Sequence, residues 1–124
     1  MTQRAIVVDD SSFQRNIVTN TIENWFDVIG TATNGREAIE VFKEKHPEVV
    51  TMDIMMPEMN GIEALAEIKE LSPETTVVMV TSVSQNEKMR EAARAGADGY
   101  VTKPVETEQL RDEFDDVLDF PVTR

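Results

Sequence analysis

Five short apolar runs, most of them rich in β-branched residues, alternate along the chain with segments whose apolar residues recur at helical spacing. The runs cover residues 5–8, 28–32, 49–52, 77–80 and 100–101. This alternation is typical of a parallel sheet covered by helices, because parallel strands need crossover connections and are buried on both faces. The pattern predicts an α/β fold, a doubly wound five-stranded parallel sheet with five helices, as one domain over residues 1–124.

Turn and helix signals between the runs predict where the chain changes direction. We expect Asn34-Gly35 to form a turn, Asn60-Gly61 to lie in the loop after the third strand, and Gly96 to end the fourth helix. The helical spacing predicts that the inward face of that fourth helix consists of Met89, Ala92 and Ala93.

The charge of the chain is strongly unbalanced, with 24 Asp and Glu against 12 Lys and Arg and a net charge of −12. Such a surface repels a phosphate backbone, so we expect no nucleic-acid partner. The chain has no membrane-span or signal-peptide pattern, so we expect a cytoplasmic protein, by default a monomer, with no membrane partner. Few of the basic residues are lysine, and we hypothesise a salt-loving source, which a rise in thermal stability towards molar KCl would support.

Polar or charged residues follow four of the five runs, at the edge where open parallel sheets place their ligand sites. They are Asp9, Asp10, Asp53, Thr81 and Lys103. Carboxylates that meet at one edge repel one another unless a cation neutralises them, and oxygen ligands favour a hard ion such as Mg²⁺. We therefore predict a divalent-metal site formed by Asp9, Asp10 and Asp53.

Each of these residues, taken alone, has a simpler interpretation. Asp9-Asp10 before two serines is compatible with a helix N-cap, and Asp53 is compatible with a loop acid that ends a strand. Thr81 and Lys103 are compatible with an ordinary strand end and a surface lysine. Only the convergence of four strand ends favours a functional site.

Beside a divalent cation, the Asp53 carboxylate is a candidate nucleophile toward phosphorus, with Thr81 and Lys103 as partners for phosphoryl oxygens. The glycines of nucleotide-binding motifs are absent after the first run. An aspartate-nucleophile phosphohydrolase is an alternative, although such enzymes place a second acid two residues after the nucleophile, where this chain has Met55.

Four segments carry a resemblance to a known family: VVDDSS, MDIMMPEMNG, VTSVS and GADGYVTKPV. Together they resemble the receiver domain of two-component response regulators, and the match covers nearly the whole chain. The resemblance implies a flavodoxin-like strand order of 2-1-3-4-5. It also implies a switch whose Asp53 is phosphorylated by a histidine kinase, rather than an enzyme that acts on outside substrates.

The same resemblance implies a ligand set for the metal. Mg²⁺, for which Mn²⁺ can substitute, would be held by Asp10, Asp53 and the backbone carbonyl of Met55. Asp9 would act largely through water.

Further implications concern the residues around the phosphoryl group. Thr81 and Lys103 would hold the phosphoryl oxygens, and the Lys103-Pro104 peptide bond would be cis. Thr81 and Tyr100 would move on phosphorylation, so the responding face would be the fourth helix, fifth strand and fifth helix.

The side chains of Met55 and Val83 are expected to flank the phosphoryl site. Neither can orient an attacking water through a polar group, so we predict slower autodephosphorylation than in relatives with polar residues there.

Among single-domain receivers the chain most resembles the chemotaxis type, CheY-like. That resemblance implies a CheA-like kinase as donor and a motility motor or adaptor protein as output partner. Two alternatives stay open. The chain could be a phosphorelay intermediate that passes its phosphoryl group to a histidine phosphotransfer protein. It could also be part of a longer regulator, with residues 119–124 as a true terminus or the start of a linker.

Overall fold

Strands and helices alternate strictly along the chain in the computed structural model, which describes residues 2–118. The strands are β1 (Arg4–Val8), β2 (Asp27–Ala32), β3 (Val49–Met52), β4 (Thr76–Thr81) and β5 (Gly99–Thr102). The helices are α1 (Ser12–Ile22), α2 (Gly35–Lys45), α3 (Gly61–Leu71), α4 (Asn86–Arg94) and α5 (Thr107–Val117). Residues 119–124, which the sequence left as terminus or linker, lie outside the described part.

The five strands form one parallel sheet in the order β2-β1-β3-β4-β5. The predicted doubly wound fold and strand order are confirmed. The register places Val8 beside both Ala32 and Met52, and Met52 beside Met79. The segments that follow β1, β3 and β4 therefore leave the sheet at the same edge.

Side chains alternate between the two faces of the sheet, so each central strand contributes to two cores. On one face, Val8 belongs to a core with residues of α2, α3 and α4, including Phe42. On the other face, Val7 belongs to a core with residues of α1 and α5, including Phe114. Burying each such side chain contributes about 1.5–3 kcal/mol, which holds the strand ends in fixed relative positions.

The predicted turn at Asn34-Gly35 is a helix start instead. Asn34 and Asn60 are N-caps, whose side chains accept hydrogen bonds from the backbone N–H groups of Glu37 and Glu63. Asn60 thus ends the predicted loop, and Gly35 and Gly61 are the first helical residues. The prediction of a turn was wrong in this detail because an Asn that begins a turn and an Asn that caps a helix have the same local signal.

The predicted inward face of α4 is partly wrong. Ala92 is fully buried, whereas Ala93 and Met89 are exposed. Met89 and Ala93 line a shallow cavity of about 280 Å³ that also contacts Tyr100 and Glu113. The helix has only nine residues and buries a single one of them, so its helical spacing over-predicted the buried face.

Gly96 follows α4 with a φ of +108°, as expected of a glycine at a helix end. Within residues 2–118, none of the helices has the length and apolar character that a membrane crossing requires.

Candidate functional site

The structure brings the predicted acids together at the carboxyl edge of the sheet. Asp9 and Asp10 follow β1, Asp53 follows β3, and one carboxylate oxygen from each of the three lies within 4.8 Å of the other two. Lys103, which follows β5, reaches the same cluster. Thr81 ends β4 fully buried, and its carbonyl accepts a hydrogen bond from the backbone N–H of Lys103 at 2.8 Å.

Lys103 bridges two of the carboxylates. Its ammonium donates to Asp9 Oδ2 at 2.7 Å and to Asp53 Oδ2 at 3.2 Å. Burial alone would lower the pKa of the Lys103 amine, but its hydrogen bond to Asp9 and the negative charges of Asp53 and Asp9 raise that pKa above its ordinary value. The amine is therefore a fixed positive charge beside Asp53. The Lys103-Pro104 peptide bond that follows is cis.

Asp9 is almost completely buried, and each of its polar atoms has a partner. Its Oδ1 accepts from the backbone N–H of Ser11 at 2.9 Å, while its Oδ2 accepts from Lys103. Its backbone N–H donates to the Ala32 carbonyl, and its own carbonyl accepts from Arg15 Nη1 at 2.9 Å. The cap of α1 is Ser11, so the simpler reading of the acid pair as N-caps is wrong.

Asp10 differs from its neighbour. It is exposed, and no residue within the described range 2–118 donates a hydrogen bond to its carboxylate. Both of its oxygens therefore stay available for a ligand.

Asp53 is nearly buried, with 5% of its surface exposed. Its Oδ1 lies 3.4 Å from the backbone N–H of Met55, while the Met55 side chain points to solvent. The start of α3 packs closely against the Asp53 backbone: a Cβ on Gly61 would lie only 1.9 Å from the Asp53 carbonyl oxygen. Glycine at position 61 is thus required by close approach and not by a turn.

Thr81 and Tyr100 both contact the residue between them, Val83. The Thr81 hydroxyl accepts from the Val83 N–H at 3.2 Å, and the Tyr100 hydroxyl donates to the Val83 carbonyl at 2.5 Å. Burial, and then the charge of Asp53, raise the pKa of the Tyr100 hydroxyl, which therefore stays protonated and can donate. The two predicted switch residues are linked through one backbone segment.

A cleft of about 450 Å³ opens beside the acid cluster, and the flanking residues Met55 and Val83 both line it. Its other lining residues are Ile54, Asn60, Ser82, Ser84, Gln85 and Lys88. Among the described residues, no carboxylate lines the cleft. The acid cluster of Asp9, Asp10 and Asp53 is therefore next to the cleft and not part of its wall.

The donor set fits a hard divalent cation. Three carboxylates face one lysine ammonium in the cluster, so about two negative charges stay uncompensated. Both oxygens of Asp9 accept short bonds, of 2.9 and 2.7 Å, whereas those of Asp53 accept longer ones, of 3.4 and 3.2 Å, and those of Asp10 accept none within residues 2–118. Asp10 and then Asp53 are therefore the carboxylates best able to bind an ion directly. The arrangement agrees with the predicted acid cluster, and the Met55 carbonyl ligand stays a prediction.

One residue at the site was missed from the sequence. Arg15, in the first part of α1, holds the Asp9 carbonyl. The available signal was weak: a cation near a helix N-terminus is locally unfavourable and indicates another role.

Comparison with known proteins agrees with this geometry. Residues 5–115 match the response regulator receiver domain. The chain therefore belongs to the response regulator receiver family, a class of signalling domains in two-component systems.

Within that family the chain is of the CheY type. It is 46% identical to the chemotaxis protein CheY of Halobacterium salinarum over 95% of this chain and 98% of that protein. It is 36% identical to CheY of Bacillus subtilis, over 95% and 99% of the two chains. A crystal structure of the CheX–CheY–BeF3–Mg complex from Borrelia burgdorferi superimposes with a TM-score of 0.89 at 28% identity, covering 93% of this chain and 88% of that one.

Proposed function

We propose that the chain is a phosphorylation switch in which Asp53 accepts a phosphoryl group from a histidine kinase. The observation that supports this most is the position of the Asp53 carboxylate, nearly buried, 3.2 Å from the Lys103 ammonium and within an acid cluster at the strand ends. If the Asp53 carboxylate only formed a structural ion pair with Lys103, two further carboxylates beside it would serve no purpose.

A divalent cation is part of the proposal. Asp10 and Asp53, with the Met55 carbonyl, would hold Mg²⁺ or Mn²⁺, and Asp9 would act through water. The ion would supply positive charge against the transferring phosphoryl group. Similarity to a CheY determined together with Mg and BeF3 supports this assignment.

The transfer step needs little covalent chemistry from the protein. An Asp53 carboxylate oxygen attacks phosphorus, the bond between phosphorus and the kinase imidazole nitrogen breaks, and the histidine leaves as a neutral imidazole after protonation. The Lys103 ammonium and the Thr81 hydroxyl then hold oxygens of the aspartyl phosphate. The Lys103 ammonium already lies 3.2 Å from Asp53, so little free energy is needed to bring it to the phosphoryl group.

The signal is proposed to travel from Thr81 through Val83 to Tyr100. A hydroxyl that turns toward the phosphoryl group gives up its bond with the Val83 N–H, and the Val83 carbonyl is the acceptor for Tyr100. The loop and the ring can then adopt a second packing on the face formed by α4, β5 and α5.

The partners in this proposal are a CheA-like kinase and a motility motor or adaptor protein. Similarity to two chemotaxis proteins over 95% of this chain supports them over a relay role. A CheX-like protein is a further candidate, because the similar Borrelia burgdorferi protein is in complex with CheX. One monomeric receiver domain over residues 1–124 and a cytoplasmic location stay predictions.

Replacing Asp53 tests the acceptor. Asp53→Asn should lose all labelling by a phosphorylated kinase or a small phosphodonor in Mg²⁺, as measured by intact-protein mass. Asp27→Asn, an exposed acid at the opposite edge of the sheet, should label like the wild type. Stoichiometric labelling of Asp53→Asn would overturn the assignment.

Capture experiments test the destination. Beryllofluoride-loaded protein should retain a motor or adaptor protein from a lysate of its own source. Retention of a histidine phosphotransfer protein instead would favour the relay.

A further inference from the structure

We propose that Arg15 is a positioning residue for the metal site, acting on Asp10 through the peptide bond between Asp9 and Asp10. This inference rests on the proposed metal-dependent function. It assigns a role to a side chain that lies outside the acid cluster and touches neither the acceptor Asp53 nor the bridging lysine.

Within the described part of the chain, the Asp10 carboxylate has no hydrogen-bond donor. Asp10 is exposed, and within residues 2–118 no side chain or backbone N–H bonds to it. One of its oxygens nevertheless lies within 4.8 Å of an oxygen of Asp9 and an oxygen of Asp53, although the three like charges repel. The direction of the Asp10 side chain must therefore be set by its backbone.

That backbone is held at the peptide unit that precedes Asp10. The carbonyl of this unit is the Asp9 carbonyl, and Arg15 Nη1 donates to it at 2.9 Å. Asp9 Oδ1 also accepts from the Ser11 N–H, a bond that spans Asp10 and limits its backbone from the other side. Within residues 2–118, the Arg15 bond is the one that the carbonyl of this peptide unit accepts, and it restrains the rotation that orients the Cα–Cβ bond of Asp10.

The placement of Arg15 is unfavourable for the helix by itself. α1 has no acid in its first turn, whereas α2, α3, α4 and α5 each have one. A cation near the positive end of a helix is repelled by the helix dipole. The bond to the Asp9 carbonyl offsets that repulsion, which accounts for an arginine at this position.

The sign of the effect on metal binding separates positioning from charge. Removing a positive charge near an acid cluster makes the cluster more negative, so electrostatics alone predicts tighter Mg²⁺ binding. Loss of positioning predicts weaker binding, because groups that orient a metal ligand typically contribute about 10-fold to 100-fold in affinity. A weaker affinity can thus come only from geometry.

The experiment is calorimetric titration of the unphosphorylated full chain with MgCl₂ at fixed ionic strength. Arg15→Met should raise the Kd by about 10-fold. Arg15→Lys keeps the charge but replaces the rigid guanidinium with a flexible stem, and should raise the Kd by about threefold. Arg94→Met is the matched control, since it removes an exposed arginine at the end of α4, and its Kd should stay within about twofold of the wild type.

Thermal unfolding in EDTA checks that each variant folds. If Arg15→Met does not fold, Arg15→Lys is the variant that decides the question. Unchanged or tighter Mg²⁺ binding by the deciding variant overturns the role of Arg15, as does equal weakening by Arg94→Met. A wild-type chain that binds no Mg²⁺ contradicts the proposed function as well, so the two failures are distinguishable.

Discussion

Without metal, Asp10→Asn should be more stable than the wild type. With Mg²⁺ present, it should be less stable than the wild type. Asp10 is exposed and accepts no hydrogen bond within residues 2–118, so Asp10→Asn breaks no contact. It does remove a negative charge, one oxygen of which lies within 4.8 Å of oxygens of two other carboxylates. The substitution therefore isolates the repulsion within the cluster.

The magnitude follows from that distance. At 4.8 Å in a water-like medium, each carboxylate pair repels by roughly 0.9 kcal/mol, so two pairs give about 2 kcal/mol. Attraction to the Lys103 ammonium offsets about half of this, which leaves a net gain of roughly 1 kcal/mol. For a domain of this size that gain corresponds to a rise in Tm of about 4 °C.

The assay is thermal or urea unfolding of wild type and Asp10→Asn, in EDTA and in saturating MgCl₂. Mg²⁺ at 100 times its Kd adds about 2.7 kcal/mol to the wild type, more than the charge effect, so the order of stability should reverse. Asp27→Asn, which removes a distant exposed charge, should show neither the gain nor the reversal. A less stable Asp10→Asn in EDTA, or an equal gain of both proteins from Mg²⁺, would refute the reasoning.

Three further predictions concern other parts of the molecule. Gly61→Ala should lower the free energy of unfolding by about 2 kcal/mol or more in urea titrations, because its Cβ meets the Asp53 carbonyl at 1.9 Å, whereas the Cβ of Gly30→Ala meets the side chains of Lys45 and Val41 at 3.2 Å or more and should cost far less. Met55→Asn should speed loss of the phosphoryl group by about 10-fold, measured as decay of the labelled mass, and an unchanged or slower rate would count against the predicted role of this position. The pKa of Glu48 is lowered overall, since partial burial raises it but an arginine bond lowers it more. The ionised Glu48 therefore stabilises the folded protein by about 0.5 kcal/mol, once solvent screening is allowed for, above pH 4.5, and this stabilisation is lost as the pH falls below that value. In acid, Glu48→Gln and wild type should then have the same free energy of unfolding.

The elements and the edge that carries the site could be predicted from the chain because their signals are local. A β-branched run and a helical repeat of apolar residues each depend on a few neighbouring positions. Parallel strands then place all their carboxyl ends on one side, so Asp9, Asp53 and Lys103 could be assigned to one edge without any distance.

The errors arose where tertiary contacts override the local signals. Met89 is apolar and at helical spacing, yet it is exposed, and Ala92 is the one residue of α4 that packs into the core. Asn60 and Gly61 have the composition of a turn, but they begin α3, and the glycine is there because the Asp53 backbone passes close to it. Neither reason is visible in the neighbouring residues.

The fold class, the family and the residues of the acid cluster could be predicted from the amino-acid sequence, since they depend on periodicity and on the order of strand ends. The hydrogen bonds that connect the cluster became known from the three-dimensional structure. Lys103 lies closer to Asp9 than to Asp53, across separations of 94 and 50 residues, and Arg15 holds the carbonyl that orients Asp10. Such bonds depend on differences of a few tenths of an ångström, and those differences are set by the packing of the two cores against the sheet.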